Sequence, residues 1–138
     1  MQFISKSQQE TFEFGQKIGK SLKGGEVITL DGELGAGKTV FTKGLATALG
    51  ITDEITSPTF TILNIYENFP LTLYHYDAYR LKSGEEAYGS GLTDYLRARD
   101  GVCVIEWAQN IASALPKKLI KIQINYLNAT EREIIYEL

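Results

Sequence analysis

Along residues 11–22 the apolar side chains Phe12, Ile18 and Leu22, with Thr11 and Gly15 among them, recur close to the helical period of about 3.6 residues. This spacing predicts a helix over about 8–21, preceded by a short strand over 2–6. Ser7-Gln8-Gln9-Glu10 is a capping box at its start, and Gly24-Gly25 supply the backbone freedom that ends it. The apolar stretch Glu26 to Leu30 then reads as a strand that leads into a glycine-rich segment, followed by a helix over about 38–49 closed by Gly50. Extended segments over 59–66 and 71–77 flank Asn68-Phe69-Pro70, a hairpin turn. Ser83-Gly84-Glu85-Glu86 is a second capping box, and a short helix is expected from Thr93 to Arg99. Val102-Cys103-Val104-Ile105 is apolar without alternation, as in a strand covered on both faces. Strands over 118–126 and 132–137 surround Asn128-Ala129-Thr130, which fits a glycosylation acceptor and is read here as a hairpin turn. Strands and helices in this order predict an α/β fold. The expected architecture is a single domain over 1–138, with a mixed, mostly parallel central sheet flanked by helices and antiparallel hairpin strands.

Composition narrows the class. A chain of 138 residues supports one domain, and 43% hydrophobic with 22% charged residues is an ordinary globular balance. Fourteen Lys and Arg against 17 Asp and Glu leave a net charge of -3, which offers no general basic field for nucleic acid. Any contact with tRNA or DNA therefore needs a partner or a local patch. Cys103 is the single cysteine, so no internal disulfide forms, and the first residues do not resemble a signal peptide; both fit a reducing cytoplasm. No apolar run approaches the roughly 20 residues that cross a bilayer, so no membrane association is expected.

Gly32-Glu33-Leu34-Gly35-Ala36-Gly37-Lys38-Thr39 matches G-x-x-x-x-G-K-[ST] between a strand and a helix, the context this motif requires. Its glycines let the backbone turn successive amides inward around a polyphosphate. Lys38 then reaches the β- and γ-phosphates and the Thr39 hydroxyl reaches Mg²⁺; Val40 is the last residue of the expected phosphate site. A glycine-rich turn without ligand is the alternative. A dinucleotide loop is excluded, because Val40 stands where a third glycine is needed.

Such a site needs a second acid on a neighbouring strand, and Glu106, at the end of Val102 to Ile105, is the candidate for metal binding and catalysis. Trp107 either packs in the core or flanks the nucleotide. In Leu71 to Arg80, strand alternation puts His75 and Asp77 on one face and Tyr74 and Tyr76 on the other. Asp77 can orient water or accept its proton beside the γ-phosphate, and His75 is either part of the site or a satisfied structural residue. Arg80 either stabilises transferring phosphate or makes an ion pair. Ser57-Pro58-Thr59-Phe60 is placed for a nucleotide-sensing loop, with Ser57 and Thr59 able to bind metal or phosphate; capping by the same hydroxyls is the competing reading.

These pieces together, Leu30 to Thr39, Ser57 to Phe60, Tyr74 to Arg80 and Ile105-Glu106-Trp107, resemble the TsaE (YjeE) family of bacterial P-loop ATPases, with Ala78 where that family usually has a larger aliphatic residue. The resemblance implies ATP and Mg²⁺ as ligands and weak ATPase activity in the isolated protein. It further implies work beside a TsaD-type transferase and a TsaB-type paralogue in making threonylcarbamoyladenosine, with tRNA reached only through that complex. On this carry-over Lys38 and Thr39 bind phosphate and Mg²⁺, Glu106 is the acid beside the metal and Asp77 activates hydrolysis. A small-molecule kinase or a non-hydrolytic nucleotide switch are the alternatives, the first lacking room for an acceptor site and an arginine-bearing lid.

Overall fold

Ser7 accepts the Glu10 amide at 3.1 Å while the Glu10 carboxylate accepts the Lys6 amide at 2.9 Å, so both halves of the first capping box form and α1 runs from Gln8 to Ser21. In this computed structural model, which describes residues 1–33 and 35–138, the second box forms in the same reciprocal way through Ser83 and Glu86 and starts α3 (Gly84–Gly89). Between them α2 spans Lys38–Leu49 and ends at Gly50, whose φ of 90° is the left-handed conformation that glycine adopts without strain. The residue that anchors α1 is Phe14, buried with Thr11, Gly15, Ile18 and Gly19, whereas Phe12 is only half-buried. The helix ends ahead of Gly24-Gly25, at an extended Leu22.

Seven strands form one sheet: β1 (Gln2–Ser5), β2 (Val27–Gly32), β3 (Leu63–Tyr66), β4 (Thr72–Asp77), β5 (Gly101–Glu106), β6 (Ile120–Tyr126) and β7 (Arg132–Glu137). Their order is β1-β7-β6-β2-β5-β4-β3. The sheet is mixed, with a parallel centre and antiparallel hairpin strands, as expected. The three central pairings, β6 with β2, β2 with β5 and β5 with β4, are parallel, and the three outer ones are antiparallel. The outer strands are hairpin partners or lie on the chain's first strand, so no crossover helix is available to make them parallel.

α1 and α2 cover one face, where Phe14, Ile18, Phe41 and Leu45 pack on Ile28, Leu30, Leu73, Val104, Ile122 and Ile124. Close approach of the two helices depends on glycine: a Cβ on Gly44 would fall 2.0 Å from Phe12 O, and one on Gly15 2.2 Å from Phe41 O. The other face is covered by α3 and by two 3-10 segments, Leu92–Tyr95 and Ala108–Ala114, over Tyr74, Tyr76, Cys103 and Ile105. The helix expected from Thr93 to Arg99 is thus a single 3-10 turn, begun by Gly91 at φ 79° and packed through Leu96. The segment over 59–62 is a turn rather than strand, held by the Ile62 amide on Pro58 O at 2.7 Å. Residues 128–131 form a turn in which Asn128 Oδ1 accepts the Thr130 and Glu131 amides. Among the described residues no helix is long and apolar enough to cross a membrane.

Candidate functional site

Parallel strands open a crevice beyond their carboxyl ends, where connections leave in opposite directions. Here β2 ends at Gly32, β4 at Asp77 and β5 at Glu106, and Asp77 and Glu106 are register partners. A cleft of about 780 Å³ lies at this end. Gly32, Glu33, Gly35, Gly37, Lys38, Thr39 and Val40 form one side of it; Leu34 lies outside the described residues. Ala36 is fully buried and does not line the cleft.

The start of α2 is left open for a ligand. Its cap, Gly37, is left-handed at φ 104° and provides no side-chain acceptor, and no acid stands in the first turn. Orphan N–H groups and the positive end of the helix dipole therefore remain at the cleft, as an anion site requires. A dipole of this sign with a lysine beside it suits an anion such as phosphate.

Glu106 is held from two sides. His75 is fully buried and its Nε2 is 3.0 Å from Glu106 Oε2, while Lys38 Nζ is 3.4 Å from Oε1. A carboxylate only accepts, so the imidazole donates from Nε2; its Nδ1 is buried without a hydrogen-bond partner among the described residues. Burial pushes the Glu106 carboxyl up, but the hydrogen bond and charge of His75 and the ammonium of Lys38 outweigh it and hold the acid below its ordinary value. The group is thus kept as an anion in a buried place. Asp31, one residue before the loop, shifts the other way: desolvation raises it and Lys38 offsets part of the rise.

Asp77 is also buried, with Oδ1 accepting the Tyr79 amide at 3.0 Å and Oδ2 accepting the Thr59 hydroxyl at 3.2 Å. Thr59 and Ser57 share a hydrogen bond of 2.8 Å and both line the cleft, so the Ser57 to Phe60 loop is tied to this acid. No group of three His, Cys, Asp or Glu is arranged to hold a metal ion among the described residues. One hydroxyl, Thr39, and one carboxylate, Glu106, nevertheless fit Mg²⁺. That ion keeps several waters and takes its remaining oxygens from phosphate rather than from a complete protein cage.

Two expected contacts, His75 and Arg80, are not brought to the cleft. His75 is sealed beneath Glu106 because β4 is buried along its whole length. Arg80 lies over the exposed Phe60 ring, 5.1 Å from its centroid, outside the cleft lining, and makes no ion pair among the described residues. Trp107 does not pack in the core. It takes a left-handed φ of 59° just after β5, is 39% exposed, lines the cleft, and meets Tyr79 edge-on at 5.0 Å.

Other lining residues carry no motif. Ser7, Gln8 and Thr11 come from the start of α1, and Ala129, Thr130 and Arg132 from the turn between β6 and β7 and the start of β7. A capping box and a turn were legible there, but not that the sheet order carries both to the phosphate loop. At the opposite, amino-terminal end of the parallel strands, Arg97, Arg99, Lys117 and Lys118 line a second cleft of about 730 Å³, a local basic patch in a chain of net charge -3.

The sequence and the fold are both similar to those of known proteins. The family profile described as "Threonylcarbamoyl adenosine biosynthesis protein TsaE" matches residues 5–134. The "tRNA threonylcarbamoyladenosine biosynthesis protein TsaE" of Treponema pallidum (strain Nichols) is 47% identical over 134 residues, covering 97% of this chain and 98% of that protein. Its counterpart in Bacillus subtilis (strain 168) is 44% identical over 93% of this chain and 79% of its own length. The crystal structure of Bacillus subtilis YdiB superposes with a TM-score of 0.83 at 38% identity, covering 99% of this chain and 83% of that one.

Proposed function

The chain belongs to the TsaE family of threonylcarbamoyl adenosine biosynthesis proteins, and from that premise we propose that it is a P-loop ATPase that uses ATP and Mg²⁺ to support tRNA threonylcarbamoyladenosine modification. The observation that carries this reading is the uncapped start of α2, which shares one cleft with Lys38, Glu106 and Asp77. Free amides bind phosphate, a lysine neutralises it, and two buried carboxylates stand where the γ-phosphate and its metal belong.

The work of each residue follows from its contacts. Gly37 and the amides after it hold the phosphates. Lys38, now paired with Glu106, would reach the β- and γ-phosphates, and the Glu106 carboxylate with the Thr39 hydroxyl would hold Mg²⁺. Bound Mg²⁺ supplies neutralisation of the phosphate oxygens. Asp77, fixed by Tyr79 N and the Thr59 hydroxyl, orients the attacking water and takes its proton, and the γ-phosphoryl group leaves ADP as inorganic phosphate. His75 keeps Glu106 aimed and charged from below. Trp107 and Tyr79 flank the nucleotide at the mouth of the cleft.

A net charge of -3 and the absence of an evident acceptor site favour action within a complex, with TsaD-type and TsaB-type partners presenting the tRNA in the cytoplasm. The Thr59–Asp77 hydrogen bond also favours a switch reading, in which ATP moves the Ser57 to Phe60 loop and hydrolysis only resets it. The test is phosphate release with and without the partner proteins, alongside a search for a phosphorylated acceptor. Stimulated release without a phosphorylated product supports the ATPase. A phosphorylated product identifies a kinase, and partner binding that follows ATP occupancy without turnover identifies the switch.

A further inference from the structure

Arg132 begins β7 and directs four hydrogen bonds at main-chain carbonyls. Nε donates to Ala36 O at 2.9 Å and Nη2 to Gly35 O at 3.2 Å, both in the phosphate loop. Nη1 donates to Asn128 O at 2.6 Å and Glu131 O at 2.9 Å, in the turn between β6 and β7. The guanidinium lies over the Tyr126 ring, 4.6 Å from its centroid, and Tyr126 is the register partner of Arg132. No carboxylate pairs with Arg132 among the described residues, although it lines the nucleotide cleft.

A trans peptide is planar, with C=O and the following N–H pointing in opposite directions, so fixing one fixes the other. The plane that carries Ala36 O also carries the Gly37 amide, at the cap of α2. The plane that carries Gly35 O carries the Ala36 amide, which closes the loop on Glu33 O at 3.0 Å. Gly35 and Gly37 stand at φ 82° and 104°. Glycines lose more freedom on ordering than other residues, and a loop ordered only by its ligand would take that cost out of the affinity.

We propose that Arg132 is a positioning residue for nucleotide binding: by gripping Gly35 O and Ala36 O it sets the peptide planes that turn the Gly37 amide towards phosphate. The grip needs the planar fork of arginine, because a lysine ammonium can keep the charge but cannot reproduce the fixed geometry of bonds to both carbonyls and the turn. The inference rests on the nucleotide reading above.

ATP and ADP are titrated in the presence of Mg²⁺ into the wild type, Arg132→Gln, Arg132→Lys and Tyr126→Leu, with thermal unfolding followed on the same samples without nucleotide. Arg132→Gln is expected to weaken ATP and ADP alike by about tenfold or more, since the loop serves both. Arg132→Lys recovers only part of the loss, and Tyr126→Leu, which keeps the hydrogen bonds but removes the stacking surface, falls between it and the wild type. If Arg132→Gln does not fold, the other two variants carry the same comparison. Wild-type affinity in Arg132→Gln overturns the proposal, as does full recovery by lysine. A loss confined to ATP also overturns it, because Arg132 would then act on the γ-phosphate itself. A wild-type protein that binds neither nucleotide overturns the nucleotide reading instead.

Discussion

Lys38 Nζ stands 3.4 Å from Glu106 Oε1, so the cation of the glycine-rich loop and the acid at the end of β5 neutralise each other across the cleft. Both side chains are mostly shielded, with 14% and 7% of their surfaces accessible. In such a place each charge needs the other, and removal of one partner is felt by the second. Glu106 keeps His75 when Lys38 leaves, whereas Lys38 has no other acid partner among the described residues.

Lys38→Ala should therefore abolish tight ATP binding, raising Kd by about a hundredfold or more, while the unfolding midpoint falls by only a few degrees. Isothermal titration and thermal unfolding on one preparation check both. An unchanged Kd removes the phosphate-loop assignment.

Asp77→Asn should keep ATP bound within about threefold and slow hydrolysis by roughly 10²–10⁴. Asparagine is the chosen replacement because Asp77 also accepts the Tyr79 amide and the Thr59 hydroxyl, and alanine would leave both donors without a partner. Single-turnover hydrolysis with partner proteins present separates the two effects; a wild-type rate makes Asp77 structural.

The pH dependence follows from Glu106. Its carboxyl is held below the reference value of 4.5, so the unfolded chain binds this proton more readily than the folded one. The stability it contributes is fully present above that value and is lost as pH falls through the lower, folded value. Urea unfolding between neutral pH and about pH 3 should show a steeper acid loss in the wild type than in Glu106→Gln. Parallel curves would contradict the charge balance described for His75, Glu106 and Lys38.

Gly44→Ala tests the helix crossing. Alanine gains about 1 kcal/mol in helix propensity, but its Cβ would fall 2.0 Å from Phe12 O, a backbone atom that cannot swing aside. A contact this close to a backbone atom costs about 2–3 kcal/mol, the upper part of the overpacking range, which outweighs the gain, and the unfolding midpoint should drop by about 3–10 °C. A raised midpoint would show that α1 and α2 separate without cost.

Legibility in the sequence followed how local each signal was. Capping boxes, the glycine-rich loop and the apolar run ahead of Glu106 are contiguous, and α1, α2 and β5 formed within a residue or so of their expected bounds. Placing His75 and Asp77 on one face of β4 also held, because alternation fixes it whatever the strand packs against. What local pattern left open or did not reach depended on distant chain. Trp107 leaves the core because the chain turns left-handed at Trp107 itself, just after β5, which no local pattern marks. His75 misses the cleft because Glu106, 31 residues on, lies over it. Arg132 joins the site only through the sheet order that sets β6 beside β2 and β7 beside β6, 96 residues from the loop carbonyl it holds.

The central claim, nucleotide-driven support of tRNA modification, is tested most directly by reconstituting tRNA threonylcarbamoylation with TsaD-type and TsaB-type partners and measuring product over several turnovers. The protein is omitted, added, or replaced by Lys38→Ala. Sustained synthesis only with the wild-type protein is the predicted result. Equal synthesis in all three mixtures would contradict it.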